Sequence, residues 1–138
     1  MRQREPVFVD SGAWIALALE RDSLHAQARE LWDMLQGNAA RLHTSVPVVM
    51  ETFTFLQRNA NRDVALAWKK SIYEPGVVKI LPCDVRDLET SWEYFRRPSL
   101  HKLSAVDATS FAIMKRSRIR LAYTFDHHFA VTGFTIVA

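Results

Sequence analysis

A chain of 138 residues with a formal net charge of +3 suits a single domain, long enough to bury a core without staples. Few glycines and prolines and 49% hydrophobic residues exclude a disordered or collagen-like chain, and a single cysteine, Cys83, excludes an internal disulfide and suits a reducing compartment. The mild basicity is compatible with a polyanionic partner and decides nothing by itself.

In chain order, the residues from Met1 to Pro6 lead into an apolar run broken at Asp10, which is not the pattern of a signal peptide. No stretch approaches the roughly 20 apolar residues of a membrane span, so the expectation is a cytoplasmic protein with no membrane partner. Val7 to Val9 reads as a buried strand that ends at Asp10, and Ala13 to Leu19 as a short buried helix. Asp22 and Ser23 open a second helix with Leu24, Ala28, Leu31, Trp32 and Leu35 on one face, stopped by Gly37. Arg41 to Thr44 is a short strand. Ser45 and Pro47 then start a third helix, in which Val48, Glu51, Thr52, Phe55 and Leu56 are neighbours.

Asn61 caps a fourth helix carrying Val64, Trp68 and Ile72, and Glu74-Pro75-Gly76 turns the chain. Val77 to Leu81 is a strand stopped by Pro82. Asp84 opens a fifth helix whose apolar stripe is Val85, Leu88, Trp92 and Phe95, closed at Arg97-Pro98. Ser104 caps a sixth helix that runs through Met114 into a basic stretch, and a buried strand from Leu121 delivers Asp126 at its end. Phe134 to Val137 is the last strand, after Gly133. Trp14, Trp32, Trp68 and Trp92 all fall on apolar stripes, which predicts core positions.

Strands alternating with helices imply a parallel sheet covered on both faces, an α/β/α sandwich with right-handed crossovers. In such folds the functional crevice lies beyond the carboxyl ends of the strands. Asp10 and Asp126 follow strands directly, and Glu51 and Asp107 lie in helices that start at the same rim.

Each acid alone has a plain structural explanation. Asp10 and Asp107 could cap helices, the latter in the pattern Ser104-x-x-Asp107, and Asp126 could sit in a turn. Glu51, inside the apolar run Val46 to Leu56, needs a partner to offset its desolvation. Together they repel one another unless a cation neutralises them, and oxygen donors suit Mg²⁺ or Mn²⁺. Magnesium binds through a few carboxylates plus substrate phosphate, so the donor set implies phosphoryl chemistry.

Zinc fits less well, because Cys83 and the scattered His25, His43, His101, His127 and His128 show no ligand spacing. His127 and His128 read as a surface turn pair or one wall of the site. There is no nucleophile elbow and no glycine-rich phosphate loop. Lys115, Arg116, Arg118 and Arg120 either form a solvated helix end or, beside a metal site, hold a nucleic-acid backbone.

Val9-Asp10-Ser11, Glu51 within Pro47 to Thr52, Asp107 within Ser104 to Phe111, and Thr124-Phe125-Asp126 followed by Gly133-Phe134 resemble PIN-domain ribonucleases. More narrowly they resemble the VapC toxins of VapBC toxin–antitoxin pairs, over nearly the whole chain. The resemblance implies a PIN-like α/β/α sandwich and a Mg²⁺- or Mn²⁺-dependent endoribonuclease acting on RNA. It places Asp10, Glu51, Asp107 and Asp126 on the family's four acidic positions, and Ser11 and Thr124 on accessory hydroxyl positions. It further implies a homodimer inhibited by a small VapB-like antitoxin. Two other readings compete: an RNA-processing nuclease outside any toxin–antitoxin pair, and a catalytically silent RNA- or protein-binding module that uses the basic stretch.

Overall fold

A computed structural model describes residues 4–137; Met1 to Gln3, part of the stretch read for a leader, and Ala138 lie outside the described residues. The β-branched and aromatic start of the chain forms β1 (Pro6–Val9), followed at once by α1 (Ser11–Ala18) and then α2 (His25–Gly37). β2 (Arg41–Ser45) leads directly into α3 (Val46–Asn59), where the Ser45 hydroxyl accepts from the Val48 amide at 3.3 Å and Pro47 occupies the first turn. Asn61 caps α4 (Arg62–Ile72) through the Val64 amide at 2.9 Å. β3 (Lys79–Leu81), α5 (Val85–Tyr94), α6 (Ala105–Arg116), β4 (Leu121–Tyr123), α7 (His128–Val131) and β5 (Thr135–Ile136) complete the chain.

The five strands pair in the order β3-β2-β1-β4-β5, and every neighbouring pair is parallel. The chain thus moves one way across the sheet from β1 to β3, and the other way from β4 to β5. Right-handed crossovers put α1 to α4 on one face and α5 to α7 on the other, the three-layer sandwich the alternation predicted. The direction changes between β1 and β4, which is where a parallel sheet opens its crevice. Phe8, Phe111, Tyr123 and Phe129 are fully buried around this centre, and such side chains each stabilise the fold by roughly 1.5–3 kcal/mol. Among the described residues no helix is long and apolar enough to cross a membrane.

Two expectations shift in detail. β3 and β5 are shorter than the runs that suggested them, and α1 begins at Ser11, two residues before the first apolar position. The short α7 has no counterpart in the sequence reading; it forms where Asp126 accepts from the His128 amide at 2.9 Å and turns the chain.

The fifth helix is a correction. Its predicted apolar stripe faces outward, with Val85 72%, Leu88 39%, Trp92 47% and Phe95 44% exposed, so Trp92 is not a core residue. The buried face is Asp87, Ser91 and Tyr94, which has the same helical spacing. Contacts with α6 select it: Asp87 receives two hydrogen bonds from the Arg116 guanidinium, at 2.8 and 3.0 Å, and Tyr94 packs edge-on against Phe111. A polar face with partners waiting on the next helix therefore outcompetes an apolar face with none.

Candidate active site

β1 ends at Asp10, and backbone pairing continues one step further, with the Asp10 amide donating to the Tyr123 carbonyl at 3.0 Å. Its side chain does not cap α1, which removes the plain structural explanation for it. Instead Oδ2 accepts from the Thr124 hydroxyl at 2.9 Å, while Oδ1 is buried with no hydrogen-bond partner among the described residues. The Thr124 hydroxyl also accepts from the Asp126 amide at 3.0 Å, so one buried hydroxyl fixes both acids at the ends of adjacent strands.

Glu51 finds the partner its apolar setting demanded: the Ser11 hydroxyl donates to Oε1 at 2.5 Å, joining α1 to α3. The Ser104 hydroxyl caps α6 through the Asp107 amide at 3.0 Å, and the Asp107 carboxyl is left to share a hydrogen bond with Asp126. His128 is 9% exposed, with Nδ1 only 2.9 Å from Asp126 Oδ1, an ion-pair approach without hydrogen-bond alignment. One donor atom each from Asp107, Asp126 and His128 lies within 4.8 Å of the other two. His128 is therefore a wall of the site, whereas His127 beside it is exposed. Burial is what separates these two adjacent histidines, and the sequence carried no sign of it.

The electrostatics bind the four acids into one site. Burial pushes the Asp10 carboxyl up to about 6, against the Thr124 and Ser11 hydrogen bonds, with Glu51 and Asp126 adding repulsion. Burial also raises Asp107, and Asp10, Asp126 and Glu51 reinforce the shift. Burial alone would raise Asp126; the His128 amide, the Asp107 hydrogen bond and the His128 side chain outweigh it and hold that carboxyl below its usual range. These carboxylates crowd together, and no Lys or Arg bonds to any of them among the described residues. The close group of Asp107, Asp126 and His128 offers donors that could hold a divalent cation, with the orphaned buried oxygen of Asp10 and the carboxyl of Glu51 linked to it electrostatically.

The basic stretch does not join this site. Lys115 and Arg116 lie eight and nine residues along α6 from Asp107, about 12–14 Å of helix. Arg116 is committed to Asp87 and to the Pro82 carbonyl, and Arg120 to Glu5 at 2.8 Å beside the start of β1. Arg118, in a left-handed backbone conformation with φ of 57°, sits in the turn before β4. The helix carries these cations away from the rim where it begins.

A cavity of about 500 Å³ lies among Trp14, Trp32 and Trp68, and none of the four acids lines it. A second groove, of about 560 Å³, follows α3 from Pro47 and Met50 past Glu51 and Phe55 to Arg58 and Asn59.

The PIN domain profile matches residues 7–135. A curated relative from Mycobacterium tuberculosis, the 23S rRNA-specific endonuclease VapC20, is 35% identical over 131 residues, covering 95% of this chain and 97% of its own length. The crystal structure of that VapC20, described as a sarcin–ricin loop cleaving toxin, superposes with a TM-score of 0.83 at 33% identity over 94% of this chain and 96% of the other. DNA-bound VapBC from Salmonella typhimurium shares the fold, with a TM-score of 0.68 at 12% identity over 96% of each chain. With its sheet order, its switch-point acids and these matches together, this chain belongs to the PIN-domain family, among the VapC proteins.

Proposed function

We propose that this protein is an endoribonuclease that hydrolyses RNA phosphodiester bonds at the cluster of Asp10, Glu51, Asp107 and Asp126, and that it is the toxin of a toxin–antitoxin pair. The observation that carries the reading is the buried, partnerless Oδ1 of Asp10, on a carboxyl that burial raises together with that of Asp107, each with other acids as neighbours. A cation would relieve the cost of keeping these acids ionised at neutral pH. The four acids would hold Mg²⁺ or Mn²⁺, with His128 as a further donor beside Asp126. When bound, such an ion supplies positive charge for the phosphate and lowers the pKa of the attacking water.

The chain's own residues orient the site. Thr124 ties Asp10 to the Asp126 backbone, Ser11 holds Glu51, and the cap at Ser104 places Asp107 on the first turn of α6. These bonds aim carboxylate oxygens into one space, where two negative groups, the substrate phosphate and the acids, must meet. The relative VapC20 acts on 23S rRNA, which supports the same RNA class here and makes the sarcin–ricin loop the first substrate to test. Work on ribosomal RNA would place the protein in the cytoplasm.

A toxin needs a neutralising partner, so a small VapB-like antitoxin belongs to this reading, as does a homodimer. The outward apolar stripe of α5 is the kind of surface that a protein partner covers. Light scattering of the protein alone and with its antitoxin checks both; a monomer in each case would remove them. For the catalytic reading, purified protein is incubated with ribosomes and with isolated 23S rRNA, with and without Mg²⁺ or Mn²⁺, and new 5′ ends are mapped. Metal-dependent cuts at discrete positions are expected. Absence of cleavage of any RNA with either metal would overturn the assignment.

A further inference from the structure

We infer that the groove along α3 is a nucleotide subsite, in which Phe55 and Met50 receive an unstacked base next to the cleaved phosphate and Arg58 holds a neighbouring phosphate. The inference rests on the ribonuclease reading and adds to it which surface grips the RNA. Sequence spacing builds the groove. Glu51, Thr54, Phe55 and Arg58 stand at helical neighbour positions, so they form one ridge that begins at a site acid and ends at a cation. Glu51 and Arg58 are about 10 Å apart along the axis, room for a nucleotide to lie between them.

Exposure singles out these side chains. Met50 is 64% and Phe55 39% exposed, on a helix whose other face buries Val48, Thr52 and Leu56 completely. Val106, from the first turn of α6, closes the groove beside Asp107, so the apolar floor is continuous with the acidic rim. The groove's volume of about 560 Å³ is in the range of small-ligand sites.

Charge at the far end completes the match. No carboxylate pairs with Arg58 among the described residues, and Arg21 folds onto the end of α3, donating to the Asn59 carbonyl at 2.8 Å. Arg58 thus lines the groove at the end away from Glu51, and Arg21 is held one residue further on, at Asn59. An acid cluster, an accessible aromatic face and cations in line are the arrangement that single-stranded RNA requires: base stacking on a side chain plus neutralised phosphates. Arg58 at the far end calls for an anion at nucleotide spacing from the acids, which an RNA phosphate supplies, and this favours RNA.

The test uses an oligoribonucleotide containing the mapped cleavage site, with 2-aminopurine placed beside the cut. Stacking on Phe55 is expected to quench its fluorescence in complex with Asp107→Asn protein, which binds without cutting. Adding Phe55→Ala should abolish the quench; in the otherwise unaltered enzyme it should raise KM roughly 5- to 100-fold with kcat little changed. Phe55→Trp should restore both, and Phe55→Leu, which keeps apolar volume without a ring face, should not. An abasic residue at that position should cost the wild type as much as Phe55→Ala does, and cost the variant nothing more. Arg58→Gln should weaken binding of every sequence and reduce the salt slope by about 1.

Unchanged KM and quenching in Phe55→Ala, or fully additive losses with the abasic substrate, would overturn the subsite while leaving cleavage intact. If Phe55→Ala keeps RNA affinity but loses antitoxin or self-association, the groove takes a protein and the inference falls. No cleavage by the wild type with either metal is a different failure, that of the ribonuclease reading, and takes the subsite with it.

Discussion

At the amino edge of the sheet Arg120 meets Glu5 at 2.8 Å, and between α5 and α6 Arg116 meets Asp87 at the same distance. At the carboxyl edge Asp10, Glu51, Asp107 and Asp126 lie within electrostatic reach of one another, and their hydrogen bonds come from hydroxyls, backbone amides and each other. In the first two places opposite charges cancel within the chain, and Asp87 is held below its usual range by Arg116 although its burial works against this. In the third, burial raises Asp10 and Asp107, and the neighbouring acids add to the shift instead of cancelling it. Paired charge is complete as folded and needs nothing from outside. Crowded like charge is incomplete, and in the function proposed above a cation is the partner that completes it.

Breaking the incomplete region should cost function and spare the fold. Asp10→Ala and Asp107→Asn are expected to lower metal-dependent RNA cleavage by at least about 100-fold, since residues that merely support metal ligands already cost 10- to 100-fold. Both variants should remain soluble with unchanged circular dichroism. Retained cleavage in both would remove these acids from catalysis.

The next effect is a pH dependence of stability. An Asp10 carboxyl raised to about 6 in the folded state, against 3.8 unfolded, binds its proton more tightly when folded. Its contribution is therefore intact below about pH 4 and is lost as pH climbs through about 6, a penalty of about 3 kcal/mol at neutral pH. Urea unfolding of metal-free protein should show this fall, Asp10→Asn should lessen it while the part due to Asp107 remains, and Mg²⁺ or Mn²⁺ should restore stability most at pH 7.5. A pH-independent midpoint in the metal-free wild type would contradict the crowding.

Breaking the complete region should do the reverse. Arg116→Ala leaves the buried Asp87 carboxylate without its cation, and about 2 kcal/mol of stability should go while cleavage of RNA is unchanged. Asp87 also returns the capping bond of α5 by accepting from the Asp84 amide at 3.1 Å, so thermal melting followed at α5 near Trp92 reports the loss. Thr124→Val sits between the two regimes. It removes one buried hydroxyl shared by Asp10 and Asp126, with about a 10-fold loss of cleavage and about 1 kcal/mol of stability. Arg120→Gln is the smallest change. Its pair with Glu5 is more than half exposed on both sides, so less than about 1 kcal/mol should be lost, and nothing in high salt.

The identity of most elements and the position of each acid on its strand end or helix were legible because both depend on local chemistry. Alternation of apolar runs with capped helices dictates a parallel sheet, and residues that end strands or begin helices in such a sheet share one rim whatever the details of packing. Ser45, Asn61 and Ser104 cap as their positions suggested, and Glu51 had to find a partner wherever it lay. Other features were settled only by what stood opposite in space. Two faces of α5 have the same helical spacing, and Arg116 and Phe111 on α6 chose the polar one. Adjacent histidines differ only in burial, and a basic run was removed from the acids by the length of its own helix. Periodicity and caps are written within a few residues of sequence, whereas the partner of a charge or a face is a residue tens of positions away, and only folding brings it there.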